Sequence, residues 1–245
     1  MERQTMKRYI ETYMTEMELA VRHPILKRDV GSVNLDKVKV FFLLLPKLNG
    51  EQWTDSINTA AMAVGAVHAG FDAHDTIDAL DATSTIQQLT VLSGDYFSAI
   101  HYKLLASIPD FDFIRSLSHA IGQVHETKAS YQDGSLVGSE QLLDALRIVE
   151  AGCIIQFLHS FGFSRYIPLV AAALPLLALD KEIGATVQKK GLDALDCTIQ
   201  DDDAEDVIST LRVIFQTAID EADFITPFLQ QEVLDMAVQF LGKPI

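Results

Sequence analysis

The residues of this sequence best suited to chemistry are acidic groups that follow a long apolar run. Asp72, His74, Asp75 and Asp78 come directly after AAMAVGAVHAGF, which begins at Ala60. Residues three or four positions apart share one face of a helix, so Asp75 and Asp78 could present two carboxylates to Mg²⁺. His74 is a softer ligand than magnesium prefers. We therefore favour a solvated acidic helix end and assign this chain no metal ligand and no catalytic residue, although a magnesium site stays open.

A second run, TIQQLTVLSGDYFSAIHYKLLAS, has Gly94-Asp95-Tyr96 in its middle. Apolar groups in it have the spacing of one helical face, at Leu89, Leu92, Tyr96, Ala99, Ile100 and Leu104. A glycine inside a helix costs about 1 kcal/mol relative to alanine, so Gly94 indicates close approach of another backbone. Asp95 stands among apolar neighbours, which predicts a partner for its charge. We expect two buried, closely packed helices with an acidic corner at their junction.

Together the two runs resemble motifs of the trans-prenyltransferases, the polyprenyl diphosphate synthases. In that family an apolar helix ends in Asp-Asp-x-x-Asp, and a later helix has a Gly-Asp-Tyr-Leu-like core. The segment LSGDYF at residues 92–97 matches the later helix, whereas HDTID at residues 74–78 departs from the first motif. In the family, magnesium ions bridge such carboxylates to a diphosphate and neutralise its charge as it leaves.

The basic half of the family's diphosphate site is missing from this sequence. Residues 79–88 contain no Arg or Lys, residues 30–47 contain no Gly-x-x-x-Arg-Pro, and residues 146–157 lack the family's Lys-Thr pair. Through these absences the chain resembles component 1 of the bacterial two-component heptaprenyl diphosphate synthases, the small non-catalytic branch of the family.

That resemblance implies a regulatory subunit that forms a heterodimer with a catalytic polyprenyl diphosphate synthase subunit. The catalytic partner would bind Mg²⁺ and condense farnesyl with isopentenyl diphosphate for the menaquinone side chain, and this chain would have no cofactor of its own. This chain would shape the elongation tunnel, set product length and contact the apolar tail of the isoprenoid. The family's dimer interface corresponds to residues 89–105 and 111–131. Its predicted contact residues are Gly94, Asp95, Tyr96, Ile100, Ile114, Leu117 and Ile121.

Two other classes of function stay open. A divergent magnesium-dependent terpenoid synthase, active alone, would use Asp75 and Asp78 with Asp202 and Asp206, since residues 202–206 also read Asp-Asp-x-x-Asp. We expect that second run to cap a helix instead, because aspartates are favoured at helix N-termini. The other class is a helical scaffold unrelated to isoprenoids, which would lack a large apolar cavity between its central helices.

Charge and hydropathy limit the partners and the location. The chain has 34 acidic against 19 basic residues, a net charge of −15, which argues against a nucleic-acid partner. Such a chain repels a diphosphate unless metal ions or basic groups of another subunit intervene. No charge-free apolar run reaches the length of a transmembrane helix, and the first twenty residues are charged throughout, unlike a signal peptide. We expect a cytoplasmic protein.

Helical periodicity without strand-like alternation predicts one all-α domain over residues 1–245, resembling the isoprenoid synthase fold and truncated in its C-terminal half. Asn34 and Ser139 are the expected helix caps, and Pro168 and Pro175 should leave a short or kinked helix within 167–179. Beyond the two runs above, helices are predicted at residues 2–23, 37–45, 111–131, 140–161, 181–195, 203–218 and 226–241. The predicted buried stripe of the helix at 111–131 is Phe111, Ile114, Leu117, Ile121 and Val124, with Ala129 at its end.

Overall fold

A computed structural model describes residues 2–77, 83–132, 138–183 and 201–241, and all regular structure in these ranges is helical. The prediction of an all-α fold is confirmed. The helices are α1 (Arg3–Ala20), α2 (Pro24–Asp29), α3 (Lys37–Leu48), α4 (Asp55–Asp75), α5 (Thr85–Leu105), α6 (Phe111–Gln132), α7 (Ser139–Ser160), α8 (Ile167–Ile183), α9 (Asp201–Asp220) and α10 (Pro227–Leu241), with a 3₁₀ turn at Ser164–Tyr166.

The chain divides into two compact units, and the division falls inside α6. We call Glu2–Ile114 the N-terminal unit and Arg115–Ile245 the C-terminal unit. That the whole chain forms a single domain stays a prediction.

Helix α4 is the core of the N-terminal unit. Every residue from Ala60 to Phe71 is buried, and most are small, so neighbouring helices can approach closely. Tyr13 of α1 lies over Gly65, where an added methyl group would overlap the Tyr13 hydroxyl oxygen. That hydroxyl donates a hydrogen bond to the Ala61 carbonyl at 2.8 Å. Burial raises the pKa of Tyr13 far above its ordinary value, so this hydrogen bond stays in place across the accessible pH range.

Helix boundaries near prolines and caps differ from the sequence predictions. Pro24 begins α2, a short helix that was not predicted, because proline suits the first helical position. The cap of α3 is Asp36 rather than Asn34, and its carboxylate accepts from the Val38 amide at 2.8 Å. The predicted Ser139 cap was also wrong, since Ser139 is already helical and follows Gly138, whose φ is 91°. Local residue type therefore identified a cap region but not the capping residue.

In the C-terminal unit, α8 packs against α7, α9 and α10. From Ile167 to Leu179 it is apolar all round, as expected of a helix enclosed by others. The prolines do not leave a short helix, because Pro168 lies in the first turn and α8 continues through Pro175 to Ile183. The helix predicted at 181–195 lies almost wholly outside the described residues.

Helix α6 buries a different stripe from the predicted one. Phe111, predicted to be buried, is 77 % exposed, whereas Phe113 is fully buried. Leu117 and Val124 are buried as predicted. The helical spacing of the buried residues was therefore predicted correctly, but the buried stripe begins at Phe113 and not at Phe111.

Candidate functional site

The acidic motif lies at the C-terminal end of α4, which finishes at Asp75. Thr76 closes the helix, and its hydroxyl donates to the Ala73 carbonyl at 2.8 Å. The last carbonyls of a helix carry partial negative charge, so carboxylates here add to an already negative end. His74 is half-buried and Asp75 is exposed, while Asp78 lies outside the described residues. Such a helix end suits a cation and disfavours a free anion.

The imidazole of His74 rests on Gly94 of α5. A methyl group placed on Gly94 would lie 2.5 Å from Nε2, 2.6 Å from Cε1 and 2.8 Å from Cδ2 of His74. No side chain at position 94 fits beneath the ring unless His74 moves. The structure thus brings together the two motifs that the sequence singled out, and the histidine of one fills the space that the glycine of the other leaves.

Asp95 is the charged group next to this contact. Its Oδ1 lies 3.9 Å from His74 Nε2, and its side chain is 68 % exposed. The carboxylate points away from the packed face of α5 toward solvent, with His74 as its neighbour, and whether a basic group of another subunit pairs with Asp95 stays a prediction. A carboxylate in water needs no buried partner, so the pair with His74 is a weak surface interaction.

The backbones of α4 and α5 also approach closely one turn away. A methyl group on Gly70 would lie 3.4 Å from the Gly94 carbonyl oxygen. The two backbones do lie close here, but the space that Gly94 itself leaves is filled by the His74 side chain and not by the backbone that the sequence predicted. Gly94→Leu would therefore collide with the chain's own His74, so this substitution cannot report on contact with a partner.

The remaining predicted interface residues differ in exposure. On α5, Ile100 is buried and Tyr96 is half-buried, with its ring 5.3 Å from that of His23 and its hydroxyl 3.4 Å from the Arg22 carbonyl. On α6, Leu117 is buried, whereas Ile114 and Ile121 are partly exposed. Their role in an interface stays a prediction, although burial in this chain already accounts for Gly94, Ile100 and Leu117.

The face of α5 that points away from α4 carries large apolar side chains in solvent, a feature that sequence reasoning missed. We call this surface the outer face of α5. It comprises Val91, Leu92, Ala99 and Tyr102. Phe111 is also exposed, at the start of α6. The spacing of Leu92, Ala99 and Tyr102, seven and three residues apart, could have indicated this face.

A pocket of about 350 Å³ lies beside the last turn of α4. Asp72 and Thr76 line one side, Thr90 and Phe97 of α5 line another, and residues 30–34 close it. Asp72 is the single charged group among the described lining residues, with no Lys or Arg. One carboxylate without a base cannot hold a diphosphate directly. Elsewhere among the described residues, no three His, Cys, Asp or Glu side chains lie together as metal ligands.

The second Asp-Asp-x-x-Asp run lies where the helix-start prediction placed it. Helix α9 begins at Asp201, so residues 202–206 lie within its first two turns. What their first carboxylates contact lies outside the described side chains, and the capping role stays a prediction.

Comparison with known families assigns the chain. Residues 23–223 match the family model described as heptaprenyl diphosphate synthase (HEPPP synthase) subunit 1. The chain belongs to this family. Heptaprenyl diphosphate synthase component 1 of Geobacillus stearothermophilus is 26 % identical over 95 residues, which are 39 % of this chain and 43 % of that protein. The matched part thus spans less than half of that relative.

Solved structures show the fold of this subunit 1 family member. The crystal structure of heptaprenyl diphosphate synthase from Staphylococcus aureus superposes with a TM-score of 0.61, at 14 % identity over 97 % of this chain and 92 % of that one. Geranylgeranyl pyrophosphate synthase from Lactobacillus brevis gives a TM-score of 0.55, at 13 % identity over 96 % and 90 %. The fold is that of isoprenoid synthases, as the motifs predicted.

Hydropathy along the described helices adds one finding: none of them is both long enough and apolar enough to cross a membrane.

Proposed function

We propose that this chain is the non-catalytic subunit of a two-subunit heptaprenyl diphosphate synthase and acts by assembling with a catalytic polyprenyl diphosphate synthase subunit. The packing of His74 on Gly94 carries this proposal. A magnesium–diphosphate site needs carboxylates free to reach the metal and basic groups for the phosphates. Here the first motif position is an imidazole engaged with α5, and the described lining of the adjacent pocket offers one carboxylate and no Lys or Arg.

The outer face of α5 is the surface through which we propose assembly. Obligate interfaces are more apolar than ordinary surface and resemble a core cut in half. Leu92 and Tyr102 expose large apolar side chains on this face, and aromatic anchors often dominate such contacts. Asp95 and Lys103 are exposed on the same helix and could fix the orientation of the partner through charge.

In this proposal the net charge of this chain decides which subunit binds the diphosphates. The catalytic subunit binds Mg²⁺ and the diphosphates, because this chain carries a net charge of −15 and would repel them. This chain contributes to the tunnel around the apolar tail of the isoprenoid and so helps to set the length of the product. The product would become the menaquinone side chain.

Assembly is tested with Leu92→Asp and a matched control, Leu19→Asp. Both leucines are exposed on helices of the N-terminal unit, Leu92 at 56 % and Leu19 at 62 %, so neither change should disturb folding. Burying a leucine at an interface contributes about 1.5–3 kcal/mol, so Leu92→Asp should weaken co-purification with the catalytic subunit at least tenfold. Leu19→Asp should assemble normally. Wild-type affinity for Leu92→Asp, with an unchanged circular dichroism spectrum, would exclude the outer face as the interface.

Catalytic status is tested separately. The purified chain, incubated with farnesyl diphosphate, isopentenyl diphosphate and Mg²⁺, should produce no elongated product. Addition of the catalytic subunit should give long-chain product. Turnover by the isolated chain would favour a terpenoid synthase active alone and would refute the non-catalytic role even if the two subunits assemble.

A further inference from the structure

An open groove of about 640 Å³ lies in the C-terminal unit between α7, α8 and α9. Its walls are mainly aliphatic, with Ile167, Pro168 and Ala171 from α8 and Leu211, Val213 and Ile214 from α9. The volume falls within the usual range of about 300–1,000 Å³ for binding sites. No role for this groove follows from the acidic motif or from the outer face of α5, which belong to the N-terminal unit.

The lip of the groove is left in solvent. Val213, which lines it, is 61 % exposed, and the neighbouring Ile214 is also exposed. Sites for small molecules usually bury about 70–90 % of the ligand's surface. An apolar molecule lying in this groove would leave Val213 and much of itself in water. An occupant that covers the lip as well as filling the groove would bury both, which favours a macromolecule.

The charges at the rim select among macromolecules. Among the described residues that line the groove, three are acidic, Glu140, Asp144 and Glu221, and one is basic, Arg147. This acidic excess opposes a second copy of the chain, which has a net charge of −15, and also opposes an anionic lipid or prenyl diphosphate. It complements a basic segment.

The dimensions of the groove match one row of side chains. Its wall along α9 begins at Leu211 and ends at Glu221, one residue past the helix, which is a length of about 15 Å at about 1.5 Å per residue. A helix with its side chains is about 10 Å wide, so one lying over this open groove would insert a ridge of its side chains between the walls.

We propose that this groove docks an amphipathic helix of a protein partner. The apolar ridge of that helix enters between α7 and α9 over α8, and its basic flank faces the carboxylates at the rim. This site is independent of the proposed synthase function, because it uses neither the acidic motif nor the outer face of α5.

The probe is a synthetic 16-residue helix with leucines on one face and lysines on its flanks. The control peptide has the same composition in scrambled order, so it keeps the charge and loses the ridge. Binding to the full chain is measured by fluorescence anisotropy at 150 mM salt, about physiological ionic strength. Only the amphipathic order should bind with a saturable curve.

Two pairs of variants locate the binding. Val213→Asp is matched with Val238→Asp, because these valines are 61 % and 63 % exposed and only Val213 lines the groove. Glu221→Lys is matched with Asp223→Lys, which changes net charge equally outside the groove. We expect Val213→Asp to weaken binding about tenfold and Glu221→Lys about threefold, with both controls within about twofold of wild type.

Three results would overturn the proposal. Equal binding of the scrambled peptide would show that only net charge attracts the probe. Equal loss in Val213→Asp and Val238→Asp would place the contact elsewhere. Saturable binding of farnesol, an uncharged prenyl alcohol, that Val213→Asp abolishes while the helix fails to bind, would make the groove a site for small apolar ligands.

Discussion

The contact between His74 and Gly94 makes a quantitative prediction about Gly94→Ala. Alanine in a helix interior is favoured over glycine by about 1 kcal/mol, so the change should stabilise α5 on propensity alone. The new methyl group, however, would lie 2.5–2.8 Å from three atoms of the His74 ring. Carbon atoms in contact normally lie about 3.5–4.0 Å apart, so the ring must move by about 1 Å.

The two effects should nearly cancel in the wild-type background. Overpacking costs about 1–3 kcal/mol, and the half-buried His74 at the end of α4 should yield at the low end of that range. Gly94→Ala should therefore change the free energy of unfolding by less than about 0.5 kcal/mol. In a His74→Ala background the overlap is absent, and the same substitution should stabilise by about 1 kcal/mol. The coupling between the two positions is then about 1 kcal/mol.

The measurement is a double-mutant cycle from urea unfolding followed by circular dichroism, with unchanged m values as the test of comparable transitions. Gly152→Ala on α7 is the matched control, because a methyl group there would meet no atom within 4 Å and should stabilise by about 1 kcal/mol in either background. If Gly94→Ala stabilises fully in the presence of His74, the imidazole does not rest on Gly94, and the argument for an engaged first motif position fails.

Three further changes test other parts of the fold. Tyr13→Phe should lower the free energy of unfolding by about 1 kcal/mol in urea titration, because it removes the buried hydrogen bond to the Ala61 carbonyl. Burial lowers the pKa of His101, so below about pH 6.5 the unfolded state binds more protons than the native state. The stability that comes from keeping His101 neutral is complete above that pH and is lost as the pH falls toward the native pKa. The urea midpoint of the wild type should therefore fall between pH 7.5 and 5.5. In His101→Leu this fall should be smaller. Asp203→Asn combined with Asp206→Asn should lower the free energy of unfolding by at most about 1 kcal/mol, seen as a small drop in the thermal midpoint. The activity of the reconstituted complex should be unchanged.

The sequence predicted the pairing of the two central helices but not the orientation of α5. Leu89, Leu92 and Tyr96 suggested the inward face, because they are the larger apolar groups on one stripe. Of the predicted stripe the structure buries Ile100, and the other buried residues of α5 are Thr90, Ser93, Gly94, Phe97, His101 and Leu105. Helix α5 has apolar residues on several faces, so periodicity alone cannot select one. Which face of α5 packs inward depends on the small residues of α4, because these allow close approach by a face of α5 that also has small residues.

Helix ends show the same limit at a smaller scale. Asn34 and Asp36 are both good capping residues, and only the path of the chain into α3 decides that Asp36 accepts from Val38. Phe111 fits the period of the α6 stripe, yet it precedes the packed part of the helix and stays in solvent. A sequence pattern identifies several residues that could cap a helix or lie in its buried stripe, and tertiary contacts determine which of them do so.

The sequence by itself determined the helical class, the family resemblance and the lack of basic groups near the acidic motif, because these depend on residue type and spacing along one chain. Only the tertiary structure decided that His74 covers Gly94, that Asp95 is in water and that Leu92 faces outward. These facts depend on the register and rotation of α5 against α4. Side-chain volumes on both helices set them jointly, and neither stretch of sequence specifies them alone.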